Sequence, residues 1–313
     1  MADARAMDES AIAREWQKQG FVVLPGWIPT EDLAPARQEL ETVFPSADGF
    51  HDGTDPRGSR FVGDEFAGID TFPFASVELS LLAVNAHLVR LAELLLGEQD
   101  LRIYSAEAWA KYTAAADYAQ AMHRDYLGHT LVVPTDDARY QQLEMFVFLA
   151  DVSEELGPPH MLSRTHTQHL PARPNWYPPD VGDYADDFVA PTASHALYEA
   201  EIPASGPAGT VVAFQPATFH RGTALRQPGG ARYSMHLSYR PAHVEWAQRQ
   251  GWASRSHEPA WYAFAARATP RQLTLFGFPP PGHPYWTPQT LTGVAQRYPD
   301  LDLDPWRTPN PPA

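Results

Sequence analysis

The 313-residue chain contains no cysteine. That absence excludes disulfides, thiolate nucleophiles, Cys-ligated zinc and cysteine-held iron–sulfur clusters. Positive charge is also scarce, with 23 Lys and Arg against 38 Asp and Glu, a formal net charge of −15. Clustered Lys and Arg are what bind phosphate backbones and anionic lipid surfaces, so neither nucleic acid nor a membrane is an expected partner. No apolar run continues long enough to read as a membrane span. The greasiest stretch, Leu79 to Leu96, is interrupted by Asn85, His87, Arg90 and Glu93. The first twenty residues mix acids and bases around no apolar centre, unlike a secretory signal, and a cytoplasmic location is the expectation. Three common signatures are missing as well: G-x-x-x-x-G-K-[ST], G-x-G-x-x-G behind a strand, and G-x-S-x-G.

What the chain does have is 44% hydrophobic and 12% aromatic residues, enough for a substantial core. Hydrophobic spacing predicts helices over 8–19 and 31–43, the first closed by Gly20, with a short β-prone run at 21–24 between them. A long amphipathic helix is expected over 76–96, stopped by Gly97. Strand-like segments follow at 101–112, 129–133, 142–150, 197–202, 209–214 and 231–239, separated by Gly, Pro, Asp and Ser clusters. Helices first and strands later argue for an α+β, mainly β fold, its antiparallel strands closed as a sandwich or barrel with helices outside. The Pro-, aromatic- and Asp-rich segment 168–195 is expected to be a lid or insertion. Residues 1–275 read as one domain, and 276–313 as an irregular Pro- and aromatic-rich extension wrapped around it.

The most informative fragment is Met122-His123-Arg124-Asp125-Tyr126. On a strand, residues i and i+2 share a side, so His123 and Asp125 would present an imidazole and a carboxylate together. His220, in Phe219-His220-Arg221-Gly222, supplies a third donor. Two His and one carboxylate on one side of a metal form the facial triad of non-heme Fe(II) oxygenases, with coordination positions left open. In the strand 231–239, Arg232, Ser234, His236 and Ser238 fall on one face and Tyr233, Met235, Leu237 and Tyr239 on the other. An arginine facing inward beside a metal suits an anionic cosubstrate, because its fork binds a carboxylate bidentately. His160, His166 and His169 read instead as solvated loop residues. Read this way, the residues leave three readings open: a non-heme oxygenase that takes an anionic cosubstrate, another metal enzyme that uses the same triad without one, and a silent ligand-binding barrel.

The order H-x-D, a Gly-Pro turn, G-T-V-V-A-F … H-R-G and R-Y-S-M-H-L-S-Y-R resembles the phytanoyl-CoA dioxygenase (PhyH-like) family from about Phe21 to Pro241. Phe146-Val147-Phe148-Leu149 … Glu155-Leu156-Gly157-Pro158 resembles the family's strand and turn. Ser163-Arg164-Thr165-His166 departs from the P-G-S-H often found there. The resemblance implies a double-stranded β-helix (jelly-roll, cupin-like) with supporting N-terminal helices, and a dioxygenase that uses Fe(II), 2-oxoglutarate and O2. It implies His123, Asp125 and His220 as iron ligands and Arg232 as partner of the 2-oxoglutarate C5 carboxylate. Lys111 and Thr223 are further candidates for that carboxylate, and Tyr126 and His129 for the pocket wall. Halogenating relatives replace the carboxylate by a small residue, so Asp125 favours hydroxylation or another oxidative outcome over halogenation. The expected substrate is a small molecule, and the acidic chain makes a polyanionic CoA thioester unattractive.

Overall fold

The computed structural model describes residues 8–64, 66–116, 118–180 and 188–307. Among these, eleven strands run in chain order: β1 (Phe21–Leu24), β2 (Asp70–Thr71), β3 (Leu101–Tyr112), β4 (Met122–His123), β5 (Leu143–Phe148), β6 (His160–Met161), β7 (Trp176–Tyr177), β8 (Ile202–Pro203), β9 (Val211–Phe214), β10 (His220–Arg221) and β11 (Ala231–Pro241). They form a six-stranded sheet of order β1-β9-β5-β11-β3-β2 and a five-stranded sheet of order β7-β4-β10-β6-β8. Every ladder is antiparallel. The two sheets face each other across one cavity, the jelly-roll arrangement expected from the sequence.

Strand β11 organises the large sheet. It pairs along its full length with β3, Arg232 opposite Lys111, and on its other edge with β5. Its alternation is as the sequence predicts. Tyr233, Met235, Leu237 and Tyr239 pack into the main core under the helices, while Arg232, Ser234, His236 and Ser238 line the cavity. Each buried large apolar side chain on the outer face contributes about 1.5–3 kcal/mol, which anchors a strand whose inner face is polar.

The helical layer begins with α1 (Glu9–Gln19), capped by the Asp8 side chain and closed by Gly20 in the left-handed region at φ 84°. The layer continues with α2 (Thr30–Gln38), α3 (Leu40–Val43), α4 (Ala47–His51), α5 (Val77–Leu82) and α6 (Ala86–Leu96). The stretch Val77–Leu96 is long and apolar enough to cross a membrane, but most of it is buried inside the fold. It is two helices and not the single one expected. Asn85 interrupts it, and its side chain accepts from the His87 N–H to cap α6. The predicted 31–43 helix is likewise split, at Glu39.

Two predicted strands are absent. Residues 129–133 form no ladder, and Leu131, Val132 and Val133 stand exposed: β-branched propensity without a neighbouring edge does not make a strand. At 197–202, Leu197, Tyr198 and Glu199 complete the helix α7 (His195–Glu199), leaving only β8 extended. The tail is more regular than expected. After α8 (Pro259–Arg267) and α9 (Pro270–Leu275), it holds α10 (Pro288–Arg297) and α11 (Asp304–Arg307), with Tyr298, Leu301, Leu303 and Trp306 buried in the main core.

Candidate metal and cosubstrate site

Strands β4 and β10 are two residues each, and they pair so that His123 lies directly opposite His220. The His123 Nδ1–H donates to the Ala121 carbonyl at 2.8 Å and the His220 Nδ1–H to the Thr218 carbonyl at 3.2 Å. Each bond commits Nδ1 as the protonated nitrogen and leaves Nε2 as the available donor atom, the usual preparation of a metal-binding imidazole. His123 Nε2 is 3.4 Å from Asp125 Oδ1 and His220 Nε2 is 3.3 Å from Asp125 Oδ2. The three ligand atoms lie within 4.8 Å of one another.

Asp125 reaches this position by a route the sequence did not indicate. The strand ends at His123, and Asp125 adopts a helical conformation (φ −87°, ψ −9°) as the N-cap of a 3-10 turn, Tyr126–Gly128. Aspartate favours turns and fits strands poorly, so the carboxylate arrives beside the imidazole by a turn and not by strand alternation.

The electrostatics suit a bound cation. Burial pushes the Asp125 carboxyl up, but the two imidazoles outweigh it and hold it well below the usual carboxylate range. Burial pushes His220 down, and Asp125 more than reverses this, so its pKa is raised. The proton favoured there answers the carboxylate where a metal ion would otherwise do so.

The triad opens onto a cavity of about 400 Å³. Arg232 and Lys111 both line it, side by side across the β11–β3 ladder. Arg232 Nη1 is shut off from solvent and has no hydrogen-bond partner, and burial lowers the guanidinium to about 10, which leaves it charged at neutral pH. The Lys111 ammonium sits 5.2 Å over the Trp109 ring and 3.4 Å from the Tyr118 hydroxyl. Thr223 lines the same space, but its hydroxyl donates to the Pro158 carbonyl at 2.7 Å, so its proton is already committed. Gly157 brings that turn close: at φ 62°, a Cβ would meet the Thr223 carbonyl oxygen at 2.4 Å.

Several wall residues were not singled out from the sequence. Trp109 stacks on His236, with ring centroids 4.2 Å apart, and Trp176 stacks on His123 at 4.1 Å. Glu144, an acid in the otherwise apolar run Leu143–Phe148, lines the cavity; its position among hydrophobic residues was the available signal. Burial, then the charge of Asp125, pushes its carboxyl well up. Glu107 pairs with Arg249 at 3.2 Å on the cavity wall. Of the two further wall candidates, His129 lines the cavity, whereas Tyr126 is buried with its hydroxyl on the Ala172 carbonyl. His160 is not solvated as expected: it meets Glu201 at 2.9 Å, and Glu201 also takes both arms of Arg221. His166 and His169 are exposed.

Residues 168–180 and 188–195 are the described parts of the expected lid, and 171–175 are tied down beside the triad. Arg124, between His123 and Asp125, donates to the carbonyls of Pro171, Ala172 and Pro174, and Asn175 donates back to the Arg124 carbonyl. The remainder of the expected lid, 181–187, lies outside the described residues.

A two-sheet jelly roll with a His-Asp-His cluster opening onto a cavity lined by Arg232 and Lys111 fits a non-heme iron enzyme of the 2-oxoglutarate-dependent class. The chain belongs to the phytanoyl-CoA dioxygenase (PhyH) family, whose profile matches residues 16–232, more than two-thirds of its length. No curated protein matches it. Among solved structures it is similar to the non-heme alpha-ketoglutarate-dependent epimerase SnoN from nogalamycin biosynthesis, with 20% identity, a TM-score of 0.52, and coverage of 75% of this chain and 81% of that one. A second SnoN structure, in complex with Fe3+, alpha-ketoglutarate and nogalamycin RO, matches with the same identity and TM-score over 75% and 84%. The carbocyclase SnoK from the same biosynthesis is similar at 17% identity and a TM-score of 0.54, over 77% and 87%. Iron and 2-oxoglutarate are thus the cofactors of this class.

Proposed function

We propose that this chain is an Fe(II)- and 2-oxoglutarate-dependent dioxygenase that hydroxylates an unactivated C–H bond of a small molecule. One observation carries the reading: two imidazole Nε2 atoms address opposite oxygens of a single carboxylate, at 3.4 and 3.3 Å, at the wall of a cavity. His123, Asp125 and His220 would hold the metal from one side, leaving the cavity side open. Arg232, with its unpartnered Nη1, would take the far carboxylate of 2-oxoglutarate, and Lys111 would add a second positive charge. Bound there, iron supplies the redox chemistry that couples conversion of 2-oxoglutarate and O2 to succinate and CO2 with oxidation of the substrate.

The chain's own residues orient and enclose. The Ala121 and Thr218 carbonyls hold the two imidazole tautomers, and Trp176 fixes the plane of His123. Trp109, Phe146 and Trp176 wall the cavity and displace water from the reacting centre. The intact carboxylate of Asp125 favours hydroxylation over halogenation. SnoN and SnoK are named as epimerase and carbocyclase, which makes a different oxidative outcome at the same site the second reading.

The test is anaerobic titration of the purified protein with Fe(II) and then 2-oxoglutarate, followed by the visible charge-transfer absorption of the chelate. Absorption that saturates, and succinate release that begins on admitting O2, are expected. Metal binding with no absorption at any 2-oxoglutarate concentration would sink the proposal.

A further inference from the structure

Behind the β4 turn lies a second cavity of about 210 Å³, which shares only Arg124 with the first. At about 30 Å³ per water it has room for about seven waters, or for a small organic or inorganic ion. Three of its lining residues end in buried N–H groups with no hydrogen-bond partner among the described residues: Gln141 Nε2, Gln215 Nε2 and Arg124 Nε. These residues are only 5%, 7% and 7% exposed. All three unmet groups are donors, so the complement is a ligand made of acceptors.

Charge points the same way. The Arg124 guanidinium does not lose its proton in proteins, and a buried cation ordinarily needs an anion. Its partners are backbone carbonyls and the faces of Phe219 and Tyr126, at 4.7 and 5.4 Å. Among the described residues no carboxylate pairs with it. Arg164 adds a second positive charge to the lining, answered at the exposed rim by Asp136.

We propose that this cavity is an anion-binding site for a small oxyanion, a carboxylate or phosphate group, held by Arg124, Gln141 and Gln215. Its occupancy couples to the metal site, because Arg124 lies between His123 and Asp125 and fixes the segment that carries Trp176 onto His123. The coupling rests on the proposed metal ligation; the binding does not.

The experiment titrates metal-free full-length protein with phosphate, sulfate and succinate at constant ionic strength in chloride, by calorimetry and by the rise in Tm. Wild type is compared with Gln215→Leu, the near-isosteric Gln215→Met and Arg232→Ala, each checked by circular dichroism. At least one oxyanion should bind wild type and Arg232→Ala alike and bind both Gln215 variants at least tenfold more weakly. Preference for phosphate or for succinate then identifies the group. Binding lost in Arg232→Ala but kept in the Gln215 variants would place the anion in the first cavity and overturn the proposal. So would the absence of any effect beyond chloride, which would mean a water-filled space. Titrating Fe(II) with and without the anion tests the coupling, since each ligand must change the affinity of the other by the same factor. An unaltered Fe(II) affinity overturns the coupling alone. Failure of Fe(II) to bind in any state overturns the metal assignment and leaves the anion site standing.

Discussion

The Trp176 indole lies over the His123 imidazole, centroids 4.1 Å apart and planes within 20°, while the same two residues pair across the β7–β4 ladder. The contact holds the ring plane of one candidate ligand, and the Ala121 carbonyl holds its tautomer. Groups that orient a ligand typically contribute 10- to 100-fold in metal affinity. Trp176→Ala should therefore weaken Fe(II) binding about tenfold, with Trp176→Phe near wild type. Equal affinities in a direct metal titration would show that the stack does not orient His123.

Asp125→Ala should abolish Fe(II)-dependent succinate release. It should also act on His220, whose raised pKa depends on the carboxylate opposing burial. With the carboxylate gone, burial is opposed only by the hydrogen bond to the Thr218 carbonyl, and the pKa should fall below its wild-type value. Imidazole NMR titration of metal-free wild type and variant reads this directly.

Loss of the fork at Arg232 removes a charge-assisted hydrogen bond worth about 1.5–3 kcal/mol. Arg232→Ala should raise the 2-oxoglutarate concentration needed for half-maximal absorption about 10- to 100-fold, leaving Fe(II) affinity near wild type. Lys111→Ala should have a smaller effect in the same direction. A larger loss at Lys111 than at Arg232 would reverse the assigned roles.

Burial lowers His129 to about 3, so the folded state keeps it neutral while the unfolded chain protonates near 6.5. The folded state binds fewer protons, and this contribution is full above pH 6.5 and lost as pH falls below it. The loss at pH 5 is about 2 kcal/mol. Glu144, whose carboxyl is raised, acts with the opposite sign, its contribution being lost as pH rises. The difference between metal-free wild type and His129→Gln reports the histidine together with any change it causes at Glu144, 3.5 Å away. Urea unfolding should show the wild-type advantage shrinking by about 2 kcal/mol from pH 8 to pH 5.

Phe72 joins the loop before α5 to the C-terminal helices, stacked on Phe276 at 4.7 Å and edge-on to Phe264 at 5.0 Å. It is 1% exposed. Phe72→Ala should cost about 3–5 kcal/mol by denaturant unfolding, with the metal site spectroscopically unchanged where the protein remains folded.

Much of the site was legible because its signals are local. The alternation of Arg232, Ser234, His236 and Ser238 against Tyr233, Met235, Leu237 and Tyr239 needs only the two-residue period of a strand. Gly20 and Gly97 end their helices in the left-handed region, where glycine is least strained. Residues 129–133 and 197–202 misled for the converse reason: strand propensity is realised only where a partner edge exists.

The sequence by itself determined the class of fold, the residue types able to hold a metal and the inward face of β11, since composition and periodicity carry these. Tertiary structure alone decided how the chemistry is arranged. The pairing of β4 with β10 sets His123 against His220 across about a hundred residues of chain, and a turn, not a strand, delivers Asp125 between them. The same packing set Trp176 on His123 and buried Arg124 against backbone carbonyls and aromatic rings. Such relationships are long-range in sequence and short-range in space, and local pattern does not encode them.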